Sequence, residues 1–219
     1  MDRNSAIADI QALFASYRAA LPTDLALLQA LSNGKLYELF VLADLVEDLT
    51  KRWFTLSFVG SSIKFKGGPG MIKLSDPHFE VRDVSNILRC RIFVDIEFDT
   101  LGTNLTGATD DSKRHEIDIL VTTAKSGYPS HHEIALGIEC KCFANFTKGL
   151  VKEALGVRRE MCLRNGVHKS MLTTFGGRPV KRVPALPPSE FILAYIDGVG
   201  SNYTGSPGAF GIEFKHLEP

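Results

Sequence analysis

Over roughly the first fifty positions, apolar residues recur with the period of a helix face rather than of a strand. Ile7, Ile10, Leu13, Phe14 and Tyr17 predict a helix over about Ser5 to Ala20. Pro22 restarts the chain, a short helix is expected to about Leu31, and "SNG" separates it from a third over about Lys35 to Arg52. The period then shortens to two. "FTLSFVG" and "IKFKGG" read as a pair of strands turning through Gly67, Gly68, Pro69 and Gly70.

The centre of the chain is strand-rich. "RCRIFVDIEFDT" alternates Ile92, Val94, Ile96 and Phe98 against Arg91, Phe93, Asp95, Glu97 and Asp99. "HEIDILVTT" puts Ile117, Ile119 and Val121 on one expected face and Glu116, Asp118 and Leu120 on the other, and "EIALGIECKCF" follows as a third strand. Thr147 offers a helix cap and Gly166 a stop, so a helix is expected over about Lys148 to Arg164. Strands near "KSMLTTF" and "FILAYID" come last, separated by the Pro-rich "GGRPVKRVPALPP". The order of elements predicts an α/β fold with a central mixed sheet. We read residues 1–219 as one domain: a helical extension over 1–34, a core over 35–175, and C-terminal strands and loops over 176–219.

Composition narrows the class. Hydrophobic residues make up 44% and charged residues 23%, the balance of an ordinary globular chain. No apolar stretch reaches the roughly 18–20 residues of a membrane span. Met1 to Asp9 is polar and acidic, unlike a secretory signal. Cys90, Cys140, Cys142 and Cys162 show no disulfide or metal spacing, so a reduced, cytoplasmic setting is expected. Net charge is zero, but its distribution is uneven. Residues 95–139 hold nine acids against three Lys or Arg, and residues 141–182 hold ten Lys or Arg against Glu153 and Glu160. An acidic block followed by a basic one fits a metal site beside a polyanion track; two solvated faces of unlike charge fit equally well.

The candidate chemistry sits in "GIECK", residues 137–141. Its lead-in, Ile134 to Ile138, is that of an interior strand, yet Glu139 and Lys141 project from one side of it. Opposite charges at the end of a core strand must be paired, solvated or used. Asp118 leads the preceding strand, with twenty residues between it and Glu139. If the two strands are neighbours, Asp118, Glu139 and Lys141 converge. Two carboxylates and a backbone carbonyl, that of Cys140, form a hard oxygen set suited to Mg²⁺ or Mn²⁺, with an ammonium beside it. The same three charges also suit a plain salt bridge at a sheet end.

Asp118 followed by Glu139-Cys140-Lys141, with the Asp closing an "EID" run and an apolar run before "ECK", resembles the PD-(D/E)xK nuclease superfamily, the restriction-endonuclease-like fold. The pattern extends over roughly residues 35–175. The resemblance implies a metal-dependent endonuclease using Mg²⁺ or Mn²⁺, with Asp118 and Glu139 as metal ligands and Lys141 assisting the attacking water. Members of that superfamily often carry an acidic residue on the helix before the core strands, which gives Glu38 a metal role. By helical projection Glu38 falls between Leu45 and Leu49, inward, while Asp44, Glu47, Asp48, Lys51 and Arg52 gather on an outer arc.

On the helix after "ECK", Lys148, Lys152 and Arg159 share a face with Arg158 beside it, a candidate nucleic-acid grip. DNA is the expected partner, and the neutral net charge points to a second copy or a partner subunit completing its binding surface. Asp95, Glu97 and Asp99 on one strand face are candidates for a further metal ligand. The competing reading is a catalytically retired nuclease-fold module kept for binding or assembly. No GK[ST] follows the glycine-rich stretches, so a P-loop is not supported.

Overall fold

The two longer of the first helices begin where a side chain satisfies free N–H groups. In α1 (Arg3–Ala15), Asp2 accepts from the N–H of Asn4 at 2.9 Å and of Ser5 at 3.3 Å. α2 (Asp24–Ala30) follows, and α3 (Asn33–Lys51) is capped by Ser32, which accepts from Lys35 N–H. The computed structural model describes all 219 residues. The remaining elements are β1 (Thr55–Val59), β2 (His78–Arg82), β3 (Leu88–Asp99), α4 (Leu101–Thr106), β4 (Arg114–Thr122) and β5 (Ile134–Lys141). Then come α5 (Lys148–Met161), β6 (His168–Lys169), α6 (Met171–Thr174), β7 (Arg182–Val183), β8 (Glu190–Tyr195), α7 (Gly205–Gly208) and β9 (Ile212–His216).

Seven strands form one mixed sheet in the order β1-β2-β3-β4-β5-β8-β9. Pairing is antiparallel from β1 to β5 and parallel across β5, β8 and β9. α5 provides the long connection that a parallel β5–β8 pair needs. Apolar residues of α1 and α3 bury one sheet face, with Leu36, Leu42 and Leu49 among them. Ala154 and Met161 of α5, with Phe146, cover the other. The chain is thus α/β, with a helix-flanked sheet as expected, and no helix is long and apolar enough to cross a membrane.

Several expected elements take another form. "IKFKGG" is not a strand: β1 pairs with β2, and residues 60–77 are an excursion between them. Ile63 packs on the α1–α3 side and Ile72 on the α5 side, so the excursion wraps from one core to the other. "KSMLTTF" holds the short helix α6 rather than a strand, because Ser170 caps it through Thr173 N–H. α5 stops at Met161, before the Gly166 stop, where Leu163 leaves to bridge with Leu186. Arg52 is not on an outer arc; it is buried against Glu190.

The largest departure concerns the alternation of β3 and β4. Ile92 and Val94 pack on the α3 side, but Ile96 and Phe98 join Phe93 on the α5 side. On β4, Ile119 and Val121 face α3 while Ile117 faces α5. Both strands change face at the same step. The ladder pairs Val94 with Ile119 and Ile96 with Ile117, and omits Asp95 and Asp118 between them. Asp95 has φ +54, a left-handed conformation that Asp tolerates better than most side chains. One residue out of register with the pleat therefore places two carboxylates where strict alternation would not.

Candidate functional site

Asp118 and Glu139 meet where β4 and β5 part. The last paired residues there are Ile119 and Ile138, so Asp118 and Glu139 stand opposite each other one step beyond. The Cys140 contact to this site runs through its N–H, which donates to Asp118 Oδ2 at 2.7 Å. The carboxylate thus takes a donor that ladder pairing with β4 would have used. Glu139 is 6% exposed. Its ammonium neighbour Lys141 Nζ lies 3.2 Å from Glu139 Oε2 and 2.6 Å from Glu153 Oε1, the latter supplied by α5. His115, Glu116, Gly156, Val157 and Glu160 complete an open cleft around these groups.

On the α3 side, the carboxylates of Glu38, Asp95 and Asp118 each offer an oxygen within 4.8 Å of the others. Helical phase brings Glu38 in, as expected, and the pleat change brings in Asp95. Lys35, one helical turn before Glu38, donates to Glu38 Oε2 at 2.8 Å and also to Asp95 Oδ1. Asp95 is 1% exposed, and its Oδ2 is buried with no hydrogen-bond partner. An unpartnered buried carboxylate oxygen calls for a cation or a donor.

Titration follows from this crowding. Burial, then the charges of Asp118 and Asp95, push the Glu38 carboxyl up to about 7 against the opposing pull of Lys35. Burial, then Asp118, hold Glu139 well above the usual carboxylate range, while Lys141 opposes. Burial raises Asp118 too, partly offset by the Cys140 N–H. Burial alone would lower Lys35 and Lys141, but hydrogen bonds and opposite charges outweigh it, and both ammoniums are held charged.

The structure therefore brings Asp118, Glu139, Lys141 and Glu38 to one locality, with Asp118 shared between the cleft and the trio. The Cys140 thiol packs against the α1–α3 core. Lys148, Lys152 and Arg159 are exposed on α5. Arg158 is not available for nucleic acid: it is 2% exposed and donates to Ser189 Oγ and Ser189 O at 3.0 Å and to Phe210 O at 3.1 Å. Its position four residues after Ala154 and three before Met161 places it on the buried face of α5. Sequence reading missed Lys35 and Glu153. Lys35 had a local signal, its i,i+3 spacing to Glu38; Glu153 had none, since its contact spans two elements. Comparison with protein-family models, with curated proteins and with solved structures found no match.

Proposed function

We propose that this chain is a divalent-metal-dependent nuclease of the PD-(D/E)xK, restriction-endonuclease-like type, hydrolysing phosphodiester bonds in DNA. The observation that carries this reading is the pairing of Asp118 and Glu139 across parted strand ends, with Lys141 adjacent. Glu38 and the half-satisfied Asp95 add carboxylates that fit a hard cation such as Mg²⁺ or Mn²⁺ and have too few protein donors without one. When bound, such an ion supplies Lewis-acid activation of a phosphodiester and of water. Lys141 holds positive charge where negative charge develops at phosphorus, and orients a water toward it. Buried Glu139 and exposed Glu153 fix that ammonium by charge. Supercoiled and linear DNA incubated with Mg²⁺ and with EDTA test the reading; cleavage that persists in EDTA, or none under any condition, refutes it. The clamp of Lys141 between Glu139 and Glu153 favours a second reading, a retired binding module, and the same assay separates the two.

Glu38→Gln gives a sign-specific check. A folded carboxyl pushed from 4.5 to about 7 holds a proton that the unfolded chain releases. Its contribution to stability therefore falls as pH rises between those values. At pH near 8, removing the charge should keep or raise the metal-free melting temperature while weakening stabilisation by Mg²⁺. Asp95 remains as a partner for Lys35. A thermal-shift series with and without Mg²⁺ reads both, and a large loss of metal-free stability would count against the metal role.

The exposed cations of α5 should provide affinity rather than chemistry. Replacing Lys148, Lys152 and Arg159 together by Ala should weaken DNA binding equally across sequences. The salt dependence should flatten by about one unit for each phosphate that is no longer neutralised. An unchanged salt slope would return this face to plain surface.

A further inference from the structure

A cavity of about 240 Å³ lies between α2, α3 and the excursion after β1. Leu31, Leu39, Ile63 and Phe65 give it apolar walls. Its polar end is Lys35, Glu38 and Asp95, so it opens onto the carboxylate trio just described. Lys64 also lines it, is exposed, and makes no ion pair.

Size and lining restrict what fits. The space is several times the roughly 30 Å³ of one water, yet below the roughly 300–1,000 Å³ typical of sites for drug-sized ligands. It suits one small group. Apolar walls disfavour a hydrated ion, whereas Phe65 adds an aromatic ring to the lining, the kind of side chain against which bases pack. At the polar end an ammonium and carboxylates stand side by side, which complements the mixed donors and acceptors on the edge of a nucleobase. Lys64 supplies charge for the adjoining phosphate. A base seated here holds its strand within reach of the carboxylate trio, two of whose members line the cavity.

We propose that this cavity receives one unstacked nucleobase of the strand being cut, so that single-stranded or locally opened DNA is the substrate class. This inference rests on the nuclease reading above. Unstacking a paired base costs free energy, least where the base is already single-stranded, which is the source of the expected preference.

The test uses the full chain in EDTA, where binding is read without Mg²⁺-dependent cleavage. The probe is a single-stranded oligonucleotide with one 2-aminopurine, whose fluorescence is quenched by neighbouring bases and rises when it leaves the stack. Moving the analogue along the oligonucleotide should reveal a position where wild-type binding raises its signal several-fold. The matching duplex should bind more weakly. Ala30→Trp fills the cavity from an exposed lining position of α2. It should abolish the rise and weaken single-strand binding about tenfold, with the melting temperature unchanged. Phe65→Ala, which removes the aromatic ring from the lining without filling the space, should also reduce the rise. No rise at any position, an equal rise in Ala30→Trp, or duplex bound as tightly as single strand would overturn the proposal. A chain that cleaves DNA but leaves every base stacked loses only the cavity. One that unstacks a base yet never cleaves keeps the cavity and loses the nuclease reading.

Discussion

Asp118→Asn should reduce Mg²⁺-dependent cleavage by about 10²- to 10³-fold or more while the chain stays folded. Asp118 is the one carboxylate common to the α3-side trio and to the cleft with Glu139 and Lys141. Removing its charge leaves Glu38 and Asp95 on one side and Glu139 on the other with no shared oxygen set. The fold should survive because the amide keeps an acceptor oxygen for Cys140 N–H, and because burial makes the charged form of Asp118 costly in the metal-free chain. The expected pattern is an unchanged or raised metal-free melting temperature with loss of both cleavage and Mg²⁺-induced stabilisation. Full activity in this variant would refute the assignment of the site, whatever the fold.

How much of this site the sequence disclosed depends on how local each signal was. Asp118, Glu139 and Lys141 were legible because strand period and the D…ExK spacing are both short-range, and β4 and β5 are neighbours in chain and sheet. Glu38 was legible from helical phase. Asp95 was visible only as one of three acids on a strand face. Its role depends on a left-handed residue that turns β3 and β4 together, and no alternation rule contains such a step. β2 and β9 were missed for a related reason. "HFEVR" and "IEFKH" are short edge-side strands with charges in them, defined by their partners rather than by an apolar run. "IKFKGG" failed the opposite way: Ile63 and Phe65 do face inward, but over a cavity, with no strand beside them. The buried fates of Arg52 and Arg158 both needed residues more than thirty positions away, Glu190 and Ser189.

Arg52 carries the second large prediction, this one on stability. Its guanidinium meets Glu190 through two hydrogen bonds, Nη2 to Oε1 at 2.6 Å and Nη1 to Oε2 at 3.1 Å, and Glu190 is 1% exposed. Removing one partner of a buried pair costs about 3–5 kcal/mol, because the other charge stays desolvated. Lys181, 2.9 Å from Glu190 Oε2, remains after Arg52→Met, so the lower end of that range is expected. Replacing both, as Arg52→Met with Glu190→Gln, should recover much of the loss, since no buried carboxylate is then left underpaired. Urea unfolding at neutral pH measures the cycle, and a single-variant loss below about 1 kcal/mol would sink the argument. pH offers an independent check. Burial raises the Glu190 carboxyl, but Arg52 and Lys181 outweigh it and hold its pKa below the ordinary value. The pair's contribution is therefore present above the unfolded carboxylate pKa of about 4.3 and is lost as pH falls through the lower folded value. The gap between wild type and Arg52→Met should close in acid. Cleavage should weaken along with stability, because this contact fastens the C-terminal end of α3 to β8. That strand pairs with β5 beside Glu139 and Lys141, and α3 carries Glu38. A loosened α3 moves one side of the carboxylate set relative to the other.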